Sequence, residues 1–243
     1  PGVGDDIVVV GTIDAEVVAL NQADGSERWR AYVNSEILSV PAVDYGVAVI
    51  RSVDGKITGL DSSTGETLWV YIRDVPVLSL RGSASPVIAG QQVINGLANG
   101  KLVSLDLQNG NMLWEATVSQ PSGRSDLERM VDIDSAPVVT DGNIYAVTFQ
   151  GQMAAITEES GVVLWRRELS SYAGLAGDWR RIYVVDSDDN LWALDASNGA
   201  SIWKQEDLYH RGLSRPVIVG NYLAVGDYEG YVHFIDPDNG RIV

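Results

Sequence analysis

Short stretches in which apolar and polar residues alternate recur along the whole chain, punctuated by Gly, Asp, Asn and Ser. Residues 137–161 show the unit: Pro137-Val138-Val139, a turn at Asp141-Gly142-Asn143, an apolar-rich stretch from Ile144 to Phe149, Gly151, a second from Met153 to Thr157, then Ser160-Gly161. Period-2 alternation predicts half-buried strands. Pairs such as Asp-Gly predict two-residue hairpins, because Gly tolerates the positive φ those turns demand. The unit reads as four antiparallel strands. No stretch sustains the 3.6-residue period of an amphipathic helix.

The unit repeats. Gly-x-x-x-Trp occurs at Gly25/Trp29, Gly65/Trp69, Gly110/Trp114, Gly161/Trp165 and Gly199/Trp203, and a sixth copy starts at Gly240. Successive Gly positions lie 40, 45, 51, 38 and 41 residues apart, each preceded by an apolar position such as Leu20, Leu60, Leu105, Ile156, Leu194 or Ile235. A second Gly (Gly55, Gly100, Gly151, Gly230) marks the middle hairpin, with Ala15 and Asp189 in its place in two units. Four antiparallel strands per roughly 40 residues predict an all-β propeller of four-stranded blades. A solenoid is the alternative, but leucine-rich and hexapeptide solenoids have shorter periods and helical repeats need helical patterning. Trp29, Trp69, Trp114, Trp165 and Trp203 are expected to pack between neighbouring blades as structural residues that touch no ligand.

Charge narrows the partners. The 33 acidic side chains against 17 basic ones give a net charge of −16. That deficit of cations argues against nucleic-acid binding and against docking on an anionic membrane surface. The 45 % hydrophobic content supports a packed core. With no Cys, disulfides, thiol nucleophiles, Cys-zinc sites and iron–sulfur clusters are all excluded. No apolar run approaches the ~20 residues of a spanning helix. The chain starts at Pro1 with no signal-like segment, so any targeting signal is expected to have been removed or to lie upstream.

Catalytic chemistry finds little purchase. His210 and His233 lie in no metal-ligand spacing, no nucleophile-elbow or phosphate-loop motif is present, and Gly2-Val3-Gly4 lacks the third Gly and the helix of a dinucleotide site. His210, in an inter-blade linker, is expected to be packed or solvated. Asp186-Ser187-Asp188-Asp189-Asn190 opens like a calcium loop, but Leu191 and Ser197 stand where Gly and Glu are needed, so it reads as a polar hairpin tip. No metal and no cofactor are expected.

The repeat is interrupted twice. The intervals of 45 and 51 place extra residues, 70–85 and 115–136, between a Trp-bearing strand and the innermost strand of the next blade. In any propeller such consecutive linkers emerge side by side on one face. Leu78 and Leu80 fall on one side of an extended segment with Arg81 opposite, and Asp132 and Asp134 share a side about 7 Å apart. Ser125-x-x-Glu128 is a capping-box pattern that predicts a helical turn over 126–131. These residues suit a protein contact, Arg being favoured at interface hot spots. The alternative is that both are merely longer linkers, with the leucines tucked between blades and Arg81 bridging to an Asp.

Two resemblances sharpen this reading. The cadence Gly59-Leu60-Asp61-Ser62-Ser63-Thr64-Gly65-Glu66-Thr67-Leu68-Trp69 resembles the tryptophan-docking repeat of quinoprotein-type propellers, which usually have eight blades. By that likeness residues 1–243 are one propeller domain with about six blades, truncated at both ends; a closed six-bladed ring is the competing expectation. Quinoprotein dehydrogenases resembling this repeat usually carry adjacent cysteines, a calcium-binding set and long insertions that this sequence lacks, so a dehydrogenase is the alternative function beside an adhesin, sensor or other ligand-binding propeller. Leu78-Ser79-Leu80-Arg81-Gly82, Asp132-Ile133-Asp134-Ser135-Ala136-Pro137, Leu208-Tyr209-His210-Arg211 and Gly226-Asp227-Tyr228-Glu229-Gly230-Tyr231 are similar to the BamB family of the outer-membrane β-barrel assembly (BAM) machinery. The likeness implies a non-catalytic periplasmic scaffold, held at the outer membrane by a lipidated Cys upstream of Pro1. It implies docking on the periplasmic polypeptide-transport-associated (POTRA) domains of BamA through Leu78, Leu80, Arg81, Asp132 and Asp134. Unfolded outer-membrane protein clients, received at exposed blade edges by β-augmentation, are a further expected partner.

Overall fold

The computed structural model describes residues 1–73, 84–122, 124–125 and 129–243. Blade 1 comprises β1 (Gly2–Gly4), β2 (Ile7–Gly11), β3 (Glu16–Asn21) and β4 (Glu27–Tyr32), and blade 2 comprises β5 (Ala42–Asp44), β6 (Val47–Arg51), β7 (Ile57–Asp61) and β8 (Thr67–Tyr71). Blade 3 follows with β9 (Val87–Ala89), β10 (Gln92–Gly96), β11 (Lys101–Asp106) and β12 (Met112–Thr117). Blade 4 has β13 (Val138–Thr140), β14 (Asn143–Val147), β15 (Gln152–Thr157) and β16 (Val163–Glu168). Blade 5 has β17 (Gly174–Gly177), β18 (Arg181–Val185), β19 (Leu191–Asp195) and β20 (Ser201–Gln205), and blade 6 has β21 (Val217–Val219), β22 (Tyr222–Gly226) and β23 (Val232–Ile235). Each sheet is an antiparallel meander in chain order, the propeller blade expected from the repeat. The sixth has three strands, with Ile242 forming an isolated bridge to Ile235.

The core lies in the seams between blades. Ile7, Val9, Val17, Ala19 and Trp29 of blade 1 pack on Val43, Ala48, Ile50 and Leu60 of blade 2, and comparable clusters join each later pair. In blade 6, Leu223, Val225 and Ile235 pack toward blade 5, whereas Tyr222, Val232 and Phe234 are exposed.

The Gly-x-x-x-Trp motif has one physical explanation, repeated five times. The indole N–H of Trp29, Trp69, Trp114, Trp165 and Trp203 donates at 2.8–3.0 Å to a carbonyl of the following blade: Ser62, Leu107, Glu158, Ala196 and Pro237. The ring covers the next blade's motif glycine. A Cβ on Gly65, Gly110, Gly161, Gly199 or Gly240 would sit 2.6–2.8 Å from the preceding Trp, and these glycines also hold φ between +70° and +78°. Glycine is therefore required twice over, for the turn and for the neighbour's ring. The small polar residue before it holds the turn: Asp24, Thr64, Asn109 and Asn198 each accept from the backbone N–H two residues on.

The middle hairpins match the sequence reading with one shift. Ala15, Gly55, Gly100, Asp189 and Gly230 adopt positive φ, but in blade 4 Gln150 does so in place of Gly151. Gly151 is needed for space instead, since a Cβ there would meet the hydroxyls of Thr148 and Ser119 within 2.5 Å.

Candidate functional site

The two faces of the propeller carry different parts of each blade. One carries the inner hairpins and the Gly-x-x-x-Trp turns, rich in carboxylates such as Asp5, Asp6, Asp24, Asp141, Glu158 and Glu159. The other carries the middle hairpins and the inter-blade linkers, including the described ends of both long interruptions.

The first linker leaves β8 under electrostatic control. Arg73 pairs with Glu115 of β12, and Lys101 of β11 reaches the same carboxylate at 2.6 Å. Burial works against the charge on Glu115, but the two cations outweigh it and hold the carboxyl below its ordinary range. At the far end Ser85 accepts from the Val40 N–H at 2.9 Å, tying this linker to the one before it. Leu78, Leu80 and Arg81 lie outside the described residues.

The second linker is pinned by main-chain bonds and apolar anchors. Val118 and Ser119 N–H both donate to Gly100 O, Ile133 N–H to Leu97 O, and Phe149 N–H to Asp132 O. Met130, Val131 and Ile133 are buried, and a Cβ on Gly96 would meet the Ile133 side chain at 2.3 Å. The Arg129 N–H bonds to Ser125 O, the bond of a single helical turn, although Asp126, Leu127 and Glu128 of the expected capping box lie outside the described residues.

Asp132 and Asp134 have different environments. Asp132 is enclosed at 1 % exposure, and Asp134 is half-buried with one carboxylate oxygen lacking a hydrogen bond. Burial, reinforced by the neighbouring Asp132 charge and opposed by Arg51, pushes Asp134 up to about 7. Arg51 closes β6 at 5 % exposure. Its guanidinium donates to Gly96 O of blade 3, and burial lowers its pKa to about 10 against the attraction of Asp134 and Asp132. Asn95 lies beside it, donating through Nδ2 to the same carbonyl at 2.7 Å. The sequence reading missed Arg51. The signal was in the repeat: the strand register places Gly11, Gly96, Val147, Val185 and Gly226 where blade 2 has Arg51.

The remaining singled-out groups are structural. Asp186 accepts from the Asp188 and Asn190 amides, the Asn190 side chain and the Trp192 indole, closing a polar hairpin. Asp189 accepts from the Gly212 and Leu213 amides. Burial works against charge on Asp227, but hydrogen bonds from His233, Arg211 and the Tyr231 amide hold it far below the usual carboxylate range. His210 is exposed, its ring tilted against that of Tyr209 with the centroids 3.9 Å apart. Among the described residues no group of three His, Cys, Asp or Glu could hold a metal ion, and no helix is long and apolar enough to cross a membrane. A polar cleft of about 360 Å³ between blades 3 and 4, lined by Ser119, Gln120, Gln150, Gln152, Arg166 and Glu168, borders the second linker. It offers hydrogen-bonding side chains to a ligand or partner.

Comparisons with known proteins bear on this face. A family model described as outer membrane protein assembly factor BamB matches residues 1–205. The protein of that name from Yersinia pestis is 40 % identical over 97 % of this chain and 60 % of its own length, and that from Alkalilimnicola ehrlichii 50 % identical over 70 % and 44 %. The chain thus spans about 60 % of the length of the Yersinia relative. The crystal structure of BamB from Moraxella catarrhalis superposes with a TM-score of 0.93 at 31 % identity, covering all of this chain and 74 % of that one. A europium-containing methanol dehydrogenase, at 15 % identity, TM-score 0.69 and coverage of 89 % and 53 %, shares the fold alone. By its family-model match and its sequence identity to these relatives, the chain belongs to the BamB family of outer membrane protein assembly factors.

Proposed function

We propose that this propeller is a non-catalytic scaffold of the outer-membrane protein assembly complex, docking on the periplasmic POTRA domains of BamA and thereby aiding folding and insertion of β-barrel outer-membrane proteins. It works at the periplasmic face of the outer membrane, held there by a lipidated Cys upstream of Pro1. Leu78, Leu80 and Arg81 of the first linker and Asp132 and Asp134 of the second form the contact. The observation that carries this reading is the pairing of the only two long interruptions of the repeat on consecutive blades, in a chain whose relatives are named as assembly factors. Asp134 offers its half-buried carboxylate to the partner, while the enclosed Asp132 acts through the position it gives the linker.

Titration calorimetry of the BamA periplasmic domains against wild type, Arg81→Ala and Asp132→Ala/Asp134→Ala tests it, with the fold of each variant checked by melting. Truncating a hot-spot residue should weaken binding by about 2 kcal/mol or more. Tight binding that every substitution leaves unchanged moves the site elsewhere, and absence of wild-type binding removes the partner.

A further inference from the structure

We propose that Arg51, a blade 2 residue outside both linkers, is the positioning residue of the docking face, holding the root of the blade 3 hairpin against which the second linker packs. The inference rests on the docking reading above. A guanidinium takes the strand-end position where the other blades have glycine or valine, and it is enclosed there. Enclosing a cation is costly unless opposite charge and acceptors surround it. Here the acceptor is Gly96 O, from the blade whose hairpin pins Ile133, and the opposite charges are Asp132 and Asp134 on either side of Ile133. One side chain thus ties blade 2 to the part of blade 3 against which the second linker packs, a Cβ on Gly96 being 2.3 Å from the Ile133 side chain. Without it, Gly96 O keeps the Asn95 amide but loses the guanidinium that ties it to blade 2. The hairpin root that pins Ile133 is then freer to move, and the linker with it. The other ionic groups of the blade 2 hairpin, Asp54 and Lys56, pair with each other at 2.7 Å.

Hydrogen exchange tests this without any partner. In folded Arg51→Met, the amides of Ile133 and Phe149, which close the bonds across the linker, should exchange about tenfold faster, while those of Val184 and Leu194 in blade 5 keep their wild-type rates. Arg51→Lys, which retains the charge and loses the planar fork, should fall between. It is the variant to read if Arg51→Met does not fold. Unchanged exchange at Ile133 and Phe149, or equal acceleration in every blade, overturns the proposal. In the binding arm, Arg51→Met should weaken affinity for the BamA periplasmic domains by about tenfold. Wild-type affinity in that variant also overturns it, whereas a wild type that does not bind defeats the docking reading alone and leaves the exchange arm to decide on Arg51.

Discussion

The Trp-docked seams and the linker face are built on opposite plans. Each seam repeats one solution: an indole donates to a carbonyl of the next blade and its ring lies on a glycine that can carry no side chain. On the linker face each blade does something different, from the ion cluster at Glu115 to the enclosed Arg51 and Asp132 beside the half-buried Asp134. Repetition marks what every blade must do to pack against its neighbour. Departure from it marks what one pair of blades does alone, and a buried charge there carries a cost that packing by itself would not require.

The comparison breaks first, and hardest, at a seam. Trp69→Ala removes a buried ring and its hydrogen bond and should lower stability by about 3–5 kcal/mol in denaturant titration. Gly110→Ala tests the glycine side of that seam, forcing a Cβ to 2.6 Å from the Trp69 ring at φ +71°; a loss of about 1–3 kcal/mol is expected. If either folded variant also loses BamA binding, seam and linker face are not separable.

Titration sharpens the other side. Asp134 is raised to about 7 from an unfolded value near 4, so the folded state binds its proton more tightly. Its contribution is fully present below about pH 4 and is lost as pH rises through about 7. Each kcal/mol lost lowers Tm by about 2–4 °C in a chain of this size. Asp134→Asn should flatten that dependence between about pH 4 and 7; a slope that survives the substitution assigns it to another group. The smallest effect is expected at the exposed Arg30 pairs with Glu16 and Glu27, where Glu27→Gln should leave Tm unchanged within error.

The repeat made the blades legible. Alternation gave the strands, the Gly and Trp spacing gave the seams, and the polar residues Asp24, Thr64, Asn109 and Asn198 before the motif glycine are interchangeable because each accepts the amide two residues on. What escaped was decided by three-dimensional neighbours. Gly151 read as the turning residue, yet Gln150 turns and Gly151 makes room for Thr148 and Ser119. A lone Arg ending a strand reads as solvent-facing, and only comparison down the repeat column exposes Arg51 as the exception. Alternation put Asp132 and Asp134 on one side of an extended segment but could not tell that one would be enclosed and the other half-buried, because an irregular linker has no period from which burial can be read.

The most direct test of the docking face is hydrogen exchange of the protein with and without the BamA periplasmic domains. Protection on binding should fall on residues 70–85 and 115–136, leaving the Gly-x-x-x-Trp turns on the opposite face at their unbound rates. Protection on those turns, with the two linkers unaffected, would contradict it.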